Sequence, residues 1–240
     1  MQFPKVLAVF AHPDDGEFGF GGTVAKWADE GSEIHYACIT DGSAGSNEPG
    51  ATREGLRPIR KREQLAAAKV LGVKECHFLG FVDGELELTM DLRRAMTRVV
   101  RAVRPDVILG PDPTRLWNRD RTYINHRDHR VAGEAALTVV MPDAPTRPQF
   151  PELLDEGLEP FEVPALWLAS EEGDTLVDIS STIDRKLDAL GSHESQVSGF
   201  GGDWQDWVRK MAKERGAPAG MEYAESFRTF NLREDEDSDD

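Results

Sequence analysis

The chain has 240 residues, with 28 Lys+Arg against 44 Asp+Glu and a formal net charge of −16. A surplus of that size repels phosphate backbones and anionic headgroups, so neither nucleic-acid binding nor membrane-surface binding is expected. At 39% hydrophobic the chain can build a sizeable core, and its length suits one large domain.

The first residues read MQFPKVLAVFAHPDD. Their apolar run is too short for a signal peptide and ends in two aspartates. It reads instead as a strand over residues 5–11, buried on both faces. Helical spacing follows over 18–30, with Val24, Trp27 and Ala28 on one face and Gly31 as the stop. Residues 34–40 (IHYACIT) read as a second strand. Residues 41–57 are rich in Gly, Ser and Asn and too long for a plain connection, which marks a functional loop. A helix over 58–71 ends at Gly72, and a short strand covers 75–79. A helix over 90–103 is stopped by Pro105, and DVILG at 106–110 is another buried strand. A second polar loop, 111–125, precedes a helix over about 127–140. Strands at 165–169 and 175–179 are joined by a Glu-Glu-Gly-Asp turn that predicts a hairpin. Helices follow over 183–190 and 204–213. Residues 222–232 are expected to close the sheet as an edge strand. Residues 234–240 (EDEDSDD) read as a solvated acidic tail.

Strands alternate with helices through the first 140 residues. The pattern predicts an α/β fold: a Rossmann-like, mostly parallel sheet with helices on both faces, in one domain over residues 1–233. No apolar run approaches the roughly 20 residues that span a bilayer. Cys38 and Cys76 are the only cysteines, which supports neither a disulfide framework nor a zinc finger. A cytoplasmic protein is expected.

Sites in such sheets lie beyond the carboxyl ends of the strands. Two polar clusters fall there. His12, Pro13, Asp14 and Asp15 follow the first strand directly. Adjacent carboxylates beside a histidine are costly to hold together unless a cation offsets them. The same residues would also serve as a solvated Pro-Asp turn that caps the next helix. The second cluster is Asn125-His126-Arg127-Asp128-His129, with the two histidines three apart on one helix face. An exposed helix start capped by Asn125 or Asp128 is the plainer reading. Together His12, Asp15 and His129 would supply two imidazoles and a carboxylate, with a position left for water, as in a catalytic zinc site. The same set can hold Fe(II).

AHPDDGE, the TDGSAG loop, the RKRE…AAAKVLGV helix and HRDH together resemble the LmbE-like (PIG-L) deacetylases over roughly residues 5–196. That family contains zinc-dependent N-deacetylases of N-acetylglucosamine conjugates, including those of mycothiol and bacillithiol synthesis. The resemblance implies His12, Asp15 and His129 as ligands of Zn2+ and Asp14 as general base. It implies His126 as the group that stabilises the oxyanion or donates a proton, and Asp128 as the carboxylate that orients His126. It implies Arg60 as a residue that reaches the substrate or product carboxyl. His193, in an SHESQ segment, resembles a late family motif at the site entrance. Arg127 stands where many members have proline.

Weaker signals have plainer readings. The glycines at 16, 19, 21 and 22 miss the dinucleotide spacing, since Val24 stands where a third glycine is needed. Tight packing of the loop against the helix is expected instead. His35 and His77 lie in strand-like runs and read as structural. Trp204 and Trp207 read as core. Arg115 and Trp117 lie in the loop before HRDH with Arg119 and Arg121, where guanidinium and aromatic groups suit a sugar or an anionic aglycone. The implied partner is a small amino-sugar conjugate, with no nucleic acid and no membrane insertion; a homo-oligomer is compatible with the sequence. Two other readings stand beside N-deacetylation. One is an amidase that cleaves a larger acyl or cysteinyl group; the other is a metal-dependent sugar binder without turnover.

Overall fold

The computed structural model describes residues 3–201 and 203–233. The expected acidic tail at 234–240 lies outside the described residues. The chain begins with β1 (Lys5–Phe10), α1 (Asp15–Asp29), β2 (Glu33–Thr40), α2 (Arg53–Leu71), β3 (Glu75–Phe81) and α3 (Met90–Val103). It continues through β4 (Val107–Pro111), α4 (Arg127–Thr138), the short α5 (Glu152–Asp155), β5 (Ala165–Ala169) and β6 (Thr175–Asp178). It ends with α6 (Ile183–Gly191), the short α7 (Glu194–Val197), α8 (Trp204–Gly216) and β7 (Ala224–Asn231).

One seven-stranded sheet runs in the order β3-β2-β1-β4-β5-β7-β6. The first five strands in that order are parallel, and β7 is antiparallel to both of its neighbours. β1 lies inside the sheet between β2 and β4, so its apolar run is continuous, as expected of a strand buried on both faces. Val6, Ala8 and Phe10 face one core with Val24, Ala67, Leu71 and Ile183, from α1, α2 and α6. Leu7 and Val9 face the other with Leu92, Met96 and Ala132, from α3 and α4. β1 leads to β2 on one side while β4 pairs on its other side. The strand order therefore reverses beside β1, and a crevice opens beyond the carboxyl ends of β1 and β4.

Three expectations need correction. α2 begins at Arg53, inside the expected loop, because the Thr52 hydroxyl accepts from the Gly55 N–H at 3.2 Å and caps it. Pro58 then lies in its second turn and only forgoes one backbone bond. The expected β5–β6 hairpin does not pair: β7 lies between the two strands, with Arg228 opposite Leu168 and Glu225 opposite Val177. β6 is the edge. The strand looked peripheral because Glu225, Ser226, Arg228 and Thr229 are polar. Glu225 is nevertheless fully buried, and accepts from the backbone N–H of Gly22 (3.0 Å) and Thr23 (2.8 Å) and from Lys186 Nζ (2.6 Å).

The glycines of α1 do allow close packing. A Cβ on Gly22 would meet Ile179 at 2.7 Å, and one on Gly16 would meet the Phe10 ring at 3.0 Å. Trp204 packs on Leu187, Leu190 and Val208 as expected, whereas Trp207 is 54% exposed. Among the described residues, no helix is long and apolar enough to cross a membrane.

Candidate metal centre

The chain turns sharply as it leaves β1. The Asp15 carboxylate closes the turn by accepting from the His12 backbone N–H at 2.8 Å. Asp14 is the N-cap of α1 and has φ 102°, a region that non-glycine residues rarely occupy. Both of its backbone groups are engaged. Its N–H donates to Gln64 Oε1 at 3.0 Å, and its carbonyl accepts from Phe18 at 3.0 Å. Arg60, almost wholly buried, donates to the Pro13 carbonyl and to the Gly42 carbonyl. A non-glycine backbone held at this φ stores roughly 1–3 kcal/mol, and this surrounding network holds it there.

The second half of the centre comes from the start of α4. Gly133, one turn after His129, lets that helix approach β4. A Cβ there would lie 2.4 Å from the Pro111 carbonyl oxygen. His129 Nε2 then lies 3.0 Å from Asp15 Oδ1 and 3.2 Å from His12 Nδ1, and His12 Nδ1 lies 3.2 Å from Asp15 Oδ2. Donor atoms about 2.0–2.1 Å from a tetrahedral ion are separated by about 3.3 Å. The triangle of His12, Asp15 and His129 therefore fits a divalent metal, with one side open.

The outer nitrogens of both histidines are fixed. His129 Nδ1 lies 2.9 Å from Asn125 Oδ1. His12 Nε2 lies 3.0 Å from Asp83 Oδ1 and 3.3 Å from Asp128 Oδ2. With the ring protons held on those nitrogens, the lone pairs of His12 Nδ1 and His129 Nε2 face the triangle. The charge balance also calls for a cation. Burial alone would lower the His12 pKa, but Asp15, Asp128 and Asp83 overcome it and push it up to about 12. Burial would raise Asp15, but His129 and His12 hold it well below the carboxylate range.

Two further side chains lie close by. The Asp14 carboxylate lies 3.4 Å from Arg60 Nη2. The His126 ring centroid is 4.8 Å from that of His12 and 5.5 Å from that of His129. His126 Nδ1 accepts from the Asp128 backbone N–H at 3.2 Å, which leaves Nε2 to carry the ring proton. Burial, and then the charge of His12, hold His126 below its ordinary value. Its Nε2–H is free of the Asp128 contact and available to donate.

A family model described as GlcNAc-PI de-N-acetylase (PIG-L) matches residues 7–140, more than half of the chain and the stretch that carries all of these side chains. The chain belongs to the PIG-L family. The diacetylchitobiose deacetylase of Thermococcus kodakarensis is 36% identical to it over 230 residues, which cover 93% of this chain and 82% of that one. The probable N-acetyl-alpha-D-glucosaminyl L-malate deacetylase 2 of Bacillus cereus is 33% identical over 230 residues, which cover 94% and 97%. Among solved structures, the N,N'-diacetylchitobiose deacetylase of Pyrococcus horikoshii in complex with its inhibitor MPG matches with a TM-score of 0.86. Its identity is 32%, over 95% of this chain and 84% of that one. These PIG-L relatives are named as deacetylases, hydrolases of amide bonds.

Within this PIG-L chain, several expected site residues lie elsewhere than the sequence suggested. The Asp128 carboxylate is fully buried and turns to His12 and to the Gly84 backbone N–H (2.7 Å). It therefore supports His12, not His126, because it is the backbone of Asp128 that meets His126. Arg60 is 3% exposed and engaged with Pro13, Gly42 and Asp14, so it braces the loop and does not reach outward. His193 is fully buried, 3.3 Å from Glu17 Oε2, and does not line an entrance. Arg115 is paired with Glu171 at 2.5 Å. Trp117 is half exposed and pairs with Ile124 as a short antiparallel bridge. Sequence reasoning missed Asp83, Gln64 and Glu17. Asp83 carried a usable signal, since it follows a strand at the same end of the sheet as His12. Its other oxygen accepts from Ala44 N–H at 2.9 Å and ties the polar loop to the centre. Gln64 Nε2 donates to the buried Glu17 at 2.9 Å, so its Oε1 is fixed toward Asp14. That pairing links positions 47 residues apart.

Proposed function

We propose that this chain is a metal-dependent N-deacetylase that removes the acetyl group from N-acetylglucosamine-type conjugates. The carrying observation is the convergence of His12 Nδ1, Asp15 and His129 Nε2 within 3.2 Å, with the His126 ring beside both histidines and Asp14 next to Asp15 in the chain. The relatives named above support the amino-sugar amide as substrate class. Zinc, the proposed metal, would acidify water from a pKa of about 16 to about 7 and polarise an amide carbonyl. Asp14 then takes a proton as water adds to the carbonyl carbon. His126 Nε2–H donates to the oxygen that gains charge. The C–N bond breaks, and the proton held by Asp14 passes to the departing nitrogen. Acetate and a free amine result. Asp83, Asp128 and Asn125 keep the imidazoles aligned. The free thiols of Cys38 and Cys76 suit a reducing compartment, in line with a cytoplasmic site of action.

The test is a panel of N-acetylated amino sugars, N,N'-diacetylchitobiose included, incubated with zinc-loaded protein. Acetate and amine are measured, and metal is counted on the same sample. Acetate release in step with zinc content is expected. Zinc-loaded protein that frees acetate from no member of the panel rejects the activity. His129→Ala should remove the bound zinc, and unchanged stoichiometry would reject the ligand set. Asn125→Ala should weaken zinc affinity about 10–100-fold, measured by competition with a chelator, because His129 then loses its orienting acceptor.

A further inference from the structure

His35 and His77, read from the sequence as structural, meet at the opposite end of the sheet from His12. β2 and β3 pair in parallel with His35 opposite Glu75 and Ala37 opposite His77. His35, Glu75 and His77 therefore stand on one face of two neighbouring strands. His35 Nδ1 lies 3.3 Å from His77 Nε2, and Glu75 Oε2 lies 3.7 Å from His35 Nδ1. The N–N separation is the donor spacing a tetrahedral ion needs. Glu75 is exposed, and one ligand atom from each of the three residues lies within 4.8 Å of the other two.

A second observation concerns the outer nitrogen. His35 Nε2 lies 3.0 Å from Glu33 Oε1, and Glu33 is itself anchored by Lys74 at 2.6 Å and Lys5 at 3.6 Å. His35 is 6% exposed, so this contact is built into the fold. It holds the ring proton on Nε2 and turns the Nδ1 lone pair toward His77. An anchored carboxylate behind a histidine is the support that metal-ligating histidines have. The exposed Glu75 leaves an open path for an ion.

We propose that His35, Glu75 and His77 form a second divalent transition-metal site, a zinc clamp that fastens the edge strand β3 to β2. Two imidazoles and a carboxylate suit zinc among the divalent ions. The site lies about 17 Å along β2 from the catalytic end, at roughly 3.3 Å per residue, so it takes no part in hydrolysis. Its effect falls on the stability of β3, a strand paired on one side only.

The test counts zinc. Protein carrying one equivalent of Zn2+ is dialysed against rising free Zn2+, and bound metal is measured. The wild type should take up a second equivalent. His77→Ala should take up one only, and Glu75→Gln, at an exposed position that leaves the sheet intact, should weaken the second at least tenfold. At free zinc about a hundredfold above Kd, the second equivalent should raise the Tm of the wild type by about 5–10 °C and leave that of His77→Ala unchanged. The clamp is overturned by a wild type that stops at one equivalent, by a second equivalent that survives His77→Ala, or by a second equivalent that leaves Tm where it was.

Discussion

Asp14→Asn is expected to lower kcat by about 10²–10⁴-fold while zinc content and Tm stay at wild-type values. The substitution is clean for a structural reason. Asp14 has φ 102°, and asparagine is among the few residues that accept such a backbone. The side chains have the same shape, and the N–H bond to Gln64 at 3.0 Å involves only the backbone. What changes is proton affinity. Burial pushes the Asp14 carboxyl up to about 7, with Arg60 pulling it down and Asp15 pushing it up. A carboxylate can take a proton from water, and a neutral amide cannot. Acetate release and metal analysis on the same preparation check the result. Wild-type turnover in Asp14→Asn would remove the base, and loss of zinc with activity would make Asp14 a ligand.

Lys186→Met should cost about 3–5 kcal/mol of stability, seen as a Tm lower by about 10 °C or more. Lys186 is 2% exposed and Glu225 is fully buried. Lys186 Nζ lies 2.6 Å from Glu225 Oε1 and donates to the Phe18 carbonyl at 2.9 Å. Burial lowers the Lys186 pKa, and Glu225 opposes it. Methionine fills the same volume but leaves a carboxylate uncompensated in the core. Converting Glu225 to methionine as well should recover little, because the N–H groups of Gly22 and Thr23 then lose their acceptor. By contrast, Lys210 and Glu214 form an exposed pair at 3.9 Å, and Lys210→Ala should change stability by less than about 0.5 kcal/mol. Equal losses for the two lysines, measured by denaturant unfolding, would contradict the buried pair as a structural support.

The meeting of His12, Asp15 and His129 was legible in the sequence because they lie in two short, chemically dense turns. His12 and Asp15 are three residues apart, and so are His126 and His129. The parallel half of the sheet was legible for a related reason: a strand buried on both faces has no polar side to blur its apolar run. Side-chain direction was less accessible. The family resemblance implied Asp128 as the partner of His126, yet the helix turns its carboxylate toward His12. Arg60 and His193 looked functional and polar, and both are buried supports. β7 was misplaced because a glutamate reads as solvent-facing until Lys186, 39 residues earlier, is brought against it. Asp83 was passed over because a single acid after a strand has many ordinary uses. In each case the missing information was a contact between distant parts of the chain.

The interior place of β7 also sets an order of assembly. His12, Asp15 and His129 all leave the ribosome within the first 129 residues, as do the strands that hold them. β5 and β6 emerge next, but they have no bonds to each other. Until residues 224–231 arrive, β5 shows a bare edge and β6 has nowhere to dock. The hydrolytic end can thus be organised while the far side of the sheet is still open. A chain cut short before Ala224 would retain every proposed ligand yet expose β5 as a template for pairing with another chain. Aggregation would then precede any loss of chemistry.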